Sequence, residues 1–425
     1  MQKSDPKYTA YVKVLHNHLR PAIGCTEPIA IAYAAAIATQ ALGCNPESAQ
    51  VLVSGNIIKN AKSVTVPNTG GKKGIDAACA AGIVAGKPER ELEVIAAVSE
   101  EQICKIDELL HKNVIDVQLK PDARLFDILV KVSCGLDWAS ARIADRHTNV
   151  VTVEKNGQKL CNEMLCDENQ EIPAAEAMLT IEDIYDFAVT CDISDVEDVL
   201  KKQIEYNTRI AQEGIEGKWG ACVGRVLLNN YGNQDVRVRA RAYAAAGSDA
   251  RMSGCELPVI INSGSGNQGI TVSVPVIEYA KALGSSKEQL YRALLISNLI
   301  AIRLKTLIGC LSAYCGAISA GCAGGAAIAY LCGGDLYIIN HTLVNSLAIL
   351  SGTICDGAKP SCAAKIACAV DAGLMGYQLA LEHKQFRGGE GIVKKGVENT
   401  IRSIGQLGHD GMRETDNEIL RIMIG

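Results

Sequence analysis

The chain has 425 residues, of which 48% are hydrophobic but only 4% are aromatic, and it carries 40 glycines and a formal net charge of −5. This length predicts two or three domains around a large core, which Ala, Val, Ile and Leu must fill in helices that contact each other through small residues. The mild charge and the lack of a basic stretch interleaved with aromatics argue against a nucleic-acid-binding protein.

The cysteine content and the N-terminus predict a reduced, cytoplasmic protein. There are 17 cysteines, an odd number, and residues 1–7 lack the apolar run of a secretory signal. Two uncharged stretches, 311–334 and 336–355, are long enough to cross a bilayer. Because they are rich in glycine or interrupted by Asn and His, we expect buried central helices and no membrane contact.

The first 175 residues predict an α+β domain. Helices are expected at 7–19, 26–43, 74–86 and 99–112, and strands at 50–54, 91–98, 113–119 and 126–133. Asn156-Gly157 lies between two alternating runs, 148–155 and 158–164, and therefore predicts a β-hairpin.

From about residue 180 onward, helical periodicity dominates. Helices are expected at 180–190, 194–215, 218–231, 234–250, 267–283, 286–308, 316–332, 336–354, 362–383 and 393–422. The acidic segment 167–171, followed by Pro173, places a domain boundary near Ala175. The fold class is therefore α+β: an α+β domain over 1–175, which carries Cys25 and the polar segments of 56–71, and an all-helical domain over 176–425, which carries a Gly-rich loop and a cysteine trio.

That trio is Cys315, Cys355 and Cys362, and the last two bracket a loop-like segment with Gly357 and Pro360. Three thiolates can hold a metal cluster and leave one metal open as a Lewis acid. The spacing is not of the Cys-x-x-Cys kind, however, and free cysteines are commonly buried as small core residues. The residues alone leave both interpretations open.

The segment 262–269 fits the pattern G-x-G-x-x-G after the short apolar run 259–261. Helices follow it rather than a βαβ unit, which disfavours a dinucleotide site. A Gly-rich loop at a helix N-terminus presents backbone N–H groups to an anion such as a substrate carboxylate. Its candidate contacts are Ser265, Asn267 and Gln268; the alternative is a tight turn that needs positive φ.

Cys25 precedes the predicted helix 26–43, and Thr26 is a candidate cap. The positive end of the helix dipole lowers a thiol pKa at such a position, so the thiolate can serve as nucleophile, metal ligand or general base. An ordinary buried cysteine is the alternative. Polar residues that favour a pocket over simple turns follow at Asn56, Asn60, Thr69 and Gly70.

Several ordered phrases are similar to those of the L-cysteine desulfidases, a family related to the iron–sulfur L-serine dehydratases. They are RPAIGCTEP at 20–28, VTVPNTG at 64–70, GKWG at 217–220, SDARM at 248–252, the segment 262–270, and ICDGA at 354–358 with Cys362. The resemblance runs nearly end to end. It implies an oxygen-sensitive [4Fe–4S] cluster held by Cys315, Cys355 and Cys362, with Cys322 as a competitor for the first position, and it implies that Cys25 is the active-site thiol.

The resemblance further implies a non-redox α,β-elimination that converts L-cysteine to pyruvate, ammonia and hydrogen sulfide. L-serine dehydration is the alternative within the same chemistry. A pyridoxal-phosphate lyase and a non-enzymatic iron–sulfur sensor or structural protein are the alternatives from other classes. We expect a small amino acid as the binding partner, and the sequence leaves a homodimer open.

Overall fold

The computed structural model describes residues 1–162, 173–309 and 311–424. It has the predicted α+β fold, with a sheet in the N-terminal part and packed helices in the C-terminal part. The acidic segment 167–171, on which the boundary near Ala175 depends, lies outside the described residues. The division into domains at that point therefore stays a prediction.

The N-terminal part follows the predicted order with one wrong element, the strand at 91–98, and with three elements that were not predicted: Pro21–Ala22, Gly55–Ala61 and Asp137–Ala144. Its helices are α1 (Pro6–His18), α2 (Thr26–Leu42), α3 (Gly55–Ala61), α4 (Gly74–Ala85) and α5 (Glu100–His111). Its strands are β1 (Pro21–Ala22), β2 (Ser48–Val53), β3 (Ile115–Leu119), β4 (Asp127–Cys134), β5 (Asp137–Ala144), β6 (Val150–Lys155) and β7 (Gln158–Asn162). The strand predicted at 91–98 is wrong, because Pro88 starts a short 3₁₀ helix over Pro88–Glu93.

Strands β2 to β7 form one sheet in the order β3-β2-β4-β5-β6-β7. The β2–β3 pair is parallel and the other pairs are antiparallel, including the predicted β6–β7 hairpin. Helix α2 packs across β4, β5 and β6 and against α4. The contact with α4 is close, since a Cβ on Gly82 would lie 2.2 Å from the carbonyl oxygen of Ala32. The position of α2 is thus fixed from two sides.

The C-terminal part is helical as predicted except for the short strand Val259–Ile260, which the all-helical prediction missed. Its elements are α6 (Ala174–Ala177), α7 (Ile181–Thr190), α8 (Glu197–Glu216), α9 (Val223–Tyr231), α10 (Val236–Met252), β8 (Val259–Ile260), α11 (Gly266–Leu283), α12 (Lys287–Ile308), α13 (Gly316–Leu331), α14 (Leu336–Ile349), α15 (Cys362–Leu381), α16 (Val397–Gln406) and α17 (Arg413–Ile424). The single helix predicted at 393–422 is wrong, because a π-helical turn over Leu407–Gly411 separates α16 from α17. Gly408 lies against Ile308 and Tyr314 in this turn.

The two uncharged stretches contain α13 and α14. Most of α13 is buried, and α14 buries the middle of its length, including Leu343 and Leu347. In the part of the chain that the structure describes, none of the helices is both long and apolar enough to cross a membrane.

A two-residue antiparallel pair joins the N-terminal and C-terminal parts. Strand β1 pairs with β8, with Pro21 opposite Ile260 and Ala22 opposite Val259. The amide of Ile261 also donates to the carbonyl oxygen of Arg20 at 2.9 Å. Because β1 leads into α2 and β8 leads into α11, this pairing places the first residues of those two helices side by side.

Helices α13 and α15 cross at glycines. A Cβ on Gly321 would lie 2.4 Å from the carbonyl oxygen of Ala369, and a Cβ on Gly373 would lie 2.4 Å from the carbonyl oxygen of Gly321. The backbones therefore approach closer than any side chain would permit. This crossing fixes the distance between Cys315, which precedes α13, and Cys362, which begins α15.

We predict that Gly321→Ala destabilises the protein by about 1–3 kcal/mol, because the added methyl group overpacks a backbone contact. Chemical unfolding followed by circular dichroism would measure the change. Gly324→Ala on the same helix is the matched control, since its nearest neighbour outside the helix backbone is the carbonyl oxygen of Thr271, 3.3 Å from the new Cβ. Equal unfolding midpoints for the two variants would contradict the crossing described above.

Candidate functional site

Cys25 is the N-cap residue of α2 and is 2% exposed. Its thiol donates to Oε2 of Glu27 at 3.1 Å. It forms a small apolar cluster with Val64 and Met252, against which Ala358 and Cys362 pack. The structure therefore places the predicted active-site thiol next to one of the three predicted cluster ligands.

The expected lowering of the Cys25 pKa by the helix dipole is wrong for this thiol. Burial raises the pKa of Cys25 well above its usual range, and the negative charge of Glu27 raises it further. Desolvation disfavours the charged form of the thiol, and here it outweighs the positive helix end. Both effects favour a protonated Cys25 beside a charged Glu27.

Glu27 is held as a carboxylate by its surroundings. Burial alone would raise its pKa, but His147 and the Cys25 thiol outweigh that effect and lower the pKa to about 2. Nε2 of His147 lies 3.9 Å from Oε1 of Glu27 and is buried without a hydrogen-bond partner among the described residues. A thiol, a carboxylate and an imidazole thus follow one another from the buried cysteine toward less buried positions.

The backbone brings Cys315 and Cys355 together. The Cys315 amide donates to the carbonyl oxygen of Thr353 at 3.1 Å, and the Cys355 amide donates to that of Ala313 at 2.6 Å. The two side chains are hydrogen-bond neighbours, and the Cys362 thiol is close enough to act electrostatically on Cys315. Cys315 precedes α13, Cys355 lies in the loop before α15, and Cys362 begins α15. The three predicted ligands therefore meet in one place.

One of these thiols ionises readily. The hydrogen bond from Cys315 lowers the pKa of Cys355 to about 6 against the effect of burial, and the charges of Lys59 and Lys305 contribute. The same hydrogen bond, together with burial, raises the pKa of Cys315 well above its usual range. Burial raises the pKa of Cys362 as well. Nearby lysines favour negative charge on this group of thiols.

Cys322, the competitor for the first ligand position, lies within α13 and is fully buried. Its thiol is a hydrogen-bond neighbour of Ser346, and burial raises its pKa to about 12. The neighbour of the Cys322 thiol is a hydroxyl, whereas the neighbour of the Cys315 thiol is the thiol of Cys355. The contacts therefore favour Cys315 as the partner of Cys355.

Across residues 1–162, 173–309 and 311–424, no three His, Cys, Asp or Glu side chains are grouped as ligands of a single metal ion. Ligands of a [4Fe–4S] cluster bind separate irons and need not converge on one point. Three adjoining thiols, one of which has a lowered pKa, are a donor set that suits such a cluster.

The Gly-rich loop lies against both the Cys25 region and the cysteine trio. The Thr26 hydroxyl donates to the carbonyl oxygen of Gly264 at 2.9 Å. At the other end of the loop, the Gln268 side chain contacts Gly316, since a Cβ on that glycine would lie 2.8 Å from Cδ of Gln268. Gly316 directly follows Cys315. The loop therefore bridges the two groups of cysteines.

The three candidate residues of this loop have different roles. Ser265 caps α11, because its hydroxyl accepts from the Gln268 amide at 3.4 Å. Asn267 accepts from Nη1 of Arg251 at 3.1 Å. Oε1 of Gln268 is buried and accepts no hydrogen bond from the described residues. Asn267 and Gln268 thus present polar groups at the site, whereas the Ser265 hydroxyl is used in capping the helix.

The polar patch of 56–71 divides in the same way. The side-chain amide of Asn60 donates to Oε1 of Glu27 at 3.3 Å, and Oδ1 of Asn56 is buried with no partner in the described ranges. Thr69 donates to the carbonyl oxygen of Val66 at 2.7 Å, and Gly70 has φ +69°. The patch therefore contributes Asn60 to the site and uses Thr69 and Gly70 in a turn.

Three residues at the site had not been proposed for it from the sequence, namely Glu27, His147 and Arg251, whereas Lys59 belongs to the predicted polar segment 56–71. Glu27 and Arg251 belong to the phrases 20–28 and 248–252, so those phrases were the available signal. Lys59 pairs with Asp416 of α17, and its carbonyl oxygen lies against Gly357. His147 lies in the β5–β6 connection with no pattern around it, and only the fold reveals its position.

Four helices begin around this site: α2 after Cys25, α11 after Ser265, α13 after Cys315 and α15 at Cys362. The unpaired amides and the positive dipole end of each helix favour anions. Together with Arg251 and Lys59, these helix ends favour a negatively charged group at the site.

Comparison with known proteins places the chain in a family. The model of the serine dehydratase alpha chain matches residues 89–421. A UPF0597 protein of Desulfitobacterium hafniense (strain Y51) is 55% identical over 100% of this chain and 98% of its own length. UPF0597 proteins of Finegoldia magna (47% identical, 97% of this chain and 99% of the relative) and Treponema denticola (43%, 100% of each) are similar along their whole lengths as well.

The phrases 217–220 and 248–252 meet at Asp249. Its Oδ2 accepts from the Val223 amide at 2.6 Å at the start of α9, and its Oδ1 is buried and accepts no hydrogen bond from the described part of the chain. Burial raises the pKa of Asp249 to about 6, although backbone amides partly oppose the shift. A neutral side chain is therefore favoured here in the folded protein.

This burial predicts a pH dependence of stability. The pKa of Asp249 is higher in the folded than in the unfolded protein. Its contribution to the free energy of unfolding is therefore fully present below about pH 4 and is lost as the pH rises through about 6. Asp249→Asn should therefore flatten the change of the urea midpoint between pH 4 and 7. Asp371→Asn, at a half-exposed carboxylate on α15 that pairs with Arg241, is the control. An unchanged pH profile in Asp249→Asn would contradict the buried-acid assignment.

Proposed function

Because the chain belongs to the serine dehydratase alpha-chain family, we propose that it is an iron–sulfur amino-acid lyase that eliminates the β-substituent of L-cysteine. The observation that carries the proposal is the packing of Cys25 against Cys362, with the Gly-rich loop bridging from Thr26 to the residue after Cys315. A base candidate, an anion-binding loop and a thiol ligand set are thereby adjacent.

We assign the cluster ligands as Cys315, Cys355 and Cys362. A [4Fe–4S] cluster bound by three cysteines supplies an open iron that acts as a Lewis acid toward a leaving group. Lys59 lowers the pKa of Cys355, and its carbonyl oxygen packs against Gly357 in the loop that carries Cys355 and Cys362. These contacts hold the loop and favour its thiolates.

Arg251, Asn267 and Gln268 are the residues that we assign to the substrate carboxylate. Arg251 is 2% exposed, and its Nη1 donates to Asn267 while its Nε has no partner in the described chain. A buried guanidinium with an unused donor suits a carboxylate, which accepts two hydrogen bonds from one arginine. Asn60 lies beside Glu27, to which its side-chain amide donates, and we assign its Oδ1 to accept from the substrate amine.

Cys25 is the residue that we assign to the α-proton. Its thiol donates to Oε2 of Glu27, which orients the sulfur, and the thiol must lose its proton before it can accept the α-proton. Removal of the α-proton and loss of the sulfur from Cβ leave an aminoacrylate, which hydrolyses to pyruvate and ammonia. His147, behind Glu27, balances the negative charge of the carboxylate.

The apolar surroundings of Cys25 favour L-cysteine over L-serine. Val64, Met252 and Ala358 line the contact between Cys25 and Cys362. A thiol is weakly hydrated and loses little there, whereas a hydroxyl without a hydrogen-bond partner is costly to bury. L-serine is the second candidate, because the matching family model is that of a serine dehydratase.

The ligand assignment predicts that Cys315→Ser, Cys355→Ser and Cys362→Ser each reduce iron and sulfide content after anaerobic reconstitution, because a hydroxyl is a poor iron ligand. Iron analysis and the visible absorption of the cluster would measure this. Cys322→Ser, which alters a buried thiol on the same helix as the first ligand, is the control and should keep the wild-type iron content. Wild-type protein that binds no iron would refute the assignment.

The role of Cys25 predicts that Cys25→Ala lowers kcat about 10²–10⁴-fold while the iron content is retained, since a general base contributes on that order. Turnover would be followed by pyruvate formation under anaerobic conditions. Cys79→Ala, which removes a fully buried thiol from α4, is the matched control and should retain activity. Full activity in Cys25→Ala would exclude this thiol as the base.

The substrate assignment predicts a higher kcat/KM for L-cysteine than for L-serine, with sulfide and pyruvate released in equal amounts from L-cysteine. Parallel assays of pyruvate, ammonia and sulfide would decide it. A higher kcat/KM for L-serine would make L-serine the substrate and leave the lyase assignment intact. Cluster-loaded protein that forms pyruvate from neither amino acid would refute the lyase assignment.

A further inference from the structure

A second pair of thiols lies at the opposite end of α2 from Cys25. Cys44 follows Gly43, the residue that caps α2, and Cys134 is the last residue of β4. Their side chains are neighbours, and Cys44 is exposed while Cys134 is half-buried. With 17 residues in α2 and a rise of 1.5 Å per residue, roughly 25 Å separates this pair from Cys25.

The backbone holds the two thiols in place. The Glu47 amide donates to the carbonyl oxygen of Ser133 at 2.8 Å, and the Gly135 amide donates back to Oε2 of Glu47 at 3.0 Å. These two bonds flank Cys134 on either side. On the helix side, Lys155 donates to the carbonyl oxygen of Leu42 at 2.8 Å and so fixes the end of α2. The contact between the thiols follows from the register of the loop on the sheet.

We propose that Cys44 and Cys134 form a thiol–disulfide exchange site that is oxidised by low-molecular-weight disulfides. The exposed Cys44 sulfur attacks such a disulfide, forms a mixed disulfide and releases one small thiol. The Cys134 sulfur then attacks the Cys44 sulfur and releases the second small thiol. Two protein thiols are thereby oxidised to one disulfide, one small disulfide is reduced to two thiols, and the two protein protons pass to them.

The different environments of the two thiols assign the order of these steps. The hydrogen bond to Cys44, followed by burial, raises the pKa of Cys134, so the proton stays on Cys134 while Cys44 is the first to react. Cys134 is adjacent and partly shielded, which suits a resolving thiol. The product ties the end of α2 to β4, at the opposite end of the helix from the lyase site.

The test uses the full-length, cluster-loaded protein, treated anaerobically with a small excess of oxidised glutathione and mapped by mass spectrometry without reduction. The wild type should yield a Cys44–Cys134 linked peptide that is lighter by two hydrogen atoms and is reversed by dithiothreitol. In Cys134→Ser, glutathione should stay on Cys44, because the resolving thiol is missing. Cys104→Ser removes an exposed thiol from α5 and should leave the linked peptide unchanged.

Glutathione retained on Cys44 in the wild type to the same extent as in Cys134→Ser would overturn the proposal. Links from Cys44 or Cys134 to other cysteines would overturn it as well. The peptide map does not depend on activity, so failure of the lyase assignment and failure of this one are distinguishable. A Cys315–Cys355 link in the same sample would concern the lyase site alone.

Discussion

The site depends on the two-residue pairing of β1 with β8. This pairing is short, but it connects a segment that ends in Cys25 with a segment that ends in the Gly-rich loop. The hydrogen bond from Ile261 to the carbonyl oxygen of Arg20 extends it, and the bond from Thr26 to Gly264 continues it into the site. Without this pairing, the thiol assigned to proton transfer and the loop assigned to the carboxylate would not be held next to each other in space.

The electrostatics of the site result from competition between desolvation and helix ends. At Cys25 burial prevails, so the thiol keeps its proton and Glu27 carries the charge. At Cys355 the hydrogen bond from Cys315 and the nearby lysines prevail over burial. Two thiols in one site therefore differ in protonation state, which suits one to handle a proton and the other to bind metal.

Much of the fold follows from local patterns in the sequence. Helical periodicity and the Asn156-Gly157 turn predict most elements to within a few residues. The errors arise where tertiary contacts override the pattern, as at Gly408, whose packing against Ile308 interrupts a helix that periodicity alone would continue. The apolar segment 91–98 fails for a local reason, because Pro88 favours a 3₁₀ turn at its start.

The site was predictable only in part. Its cysteines and loop lie in ordered phrases, but hydrogen bonding divides these phrases into residues that face the site and residues that shape the backbone. Asn60 and Asn267 belong to the first group, and Ser265 and Thr69 belong to the second. Spacing does not distinguish them, since each is a small polar residue next to a turn.

The low aromatic content has a structural consequence for this site. A core built from Ala and Gly lets helices approach until backbones touch, as Gly321 does against Ala369. Such contacts leave little freedom for one helix to slide over another, because a carbonyl oxygen faces bare Cα atoms rather than flexible side chains. The N-termini of α13 and α15, and with them Cys315 and Cys362, are thereby held at a fixed separation. A rigid arrangement of this kind suits the proposed cluster, in which three thiols are the ligands and a fourth position is left for substrate.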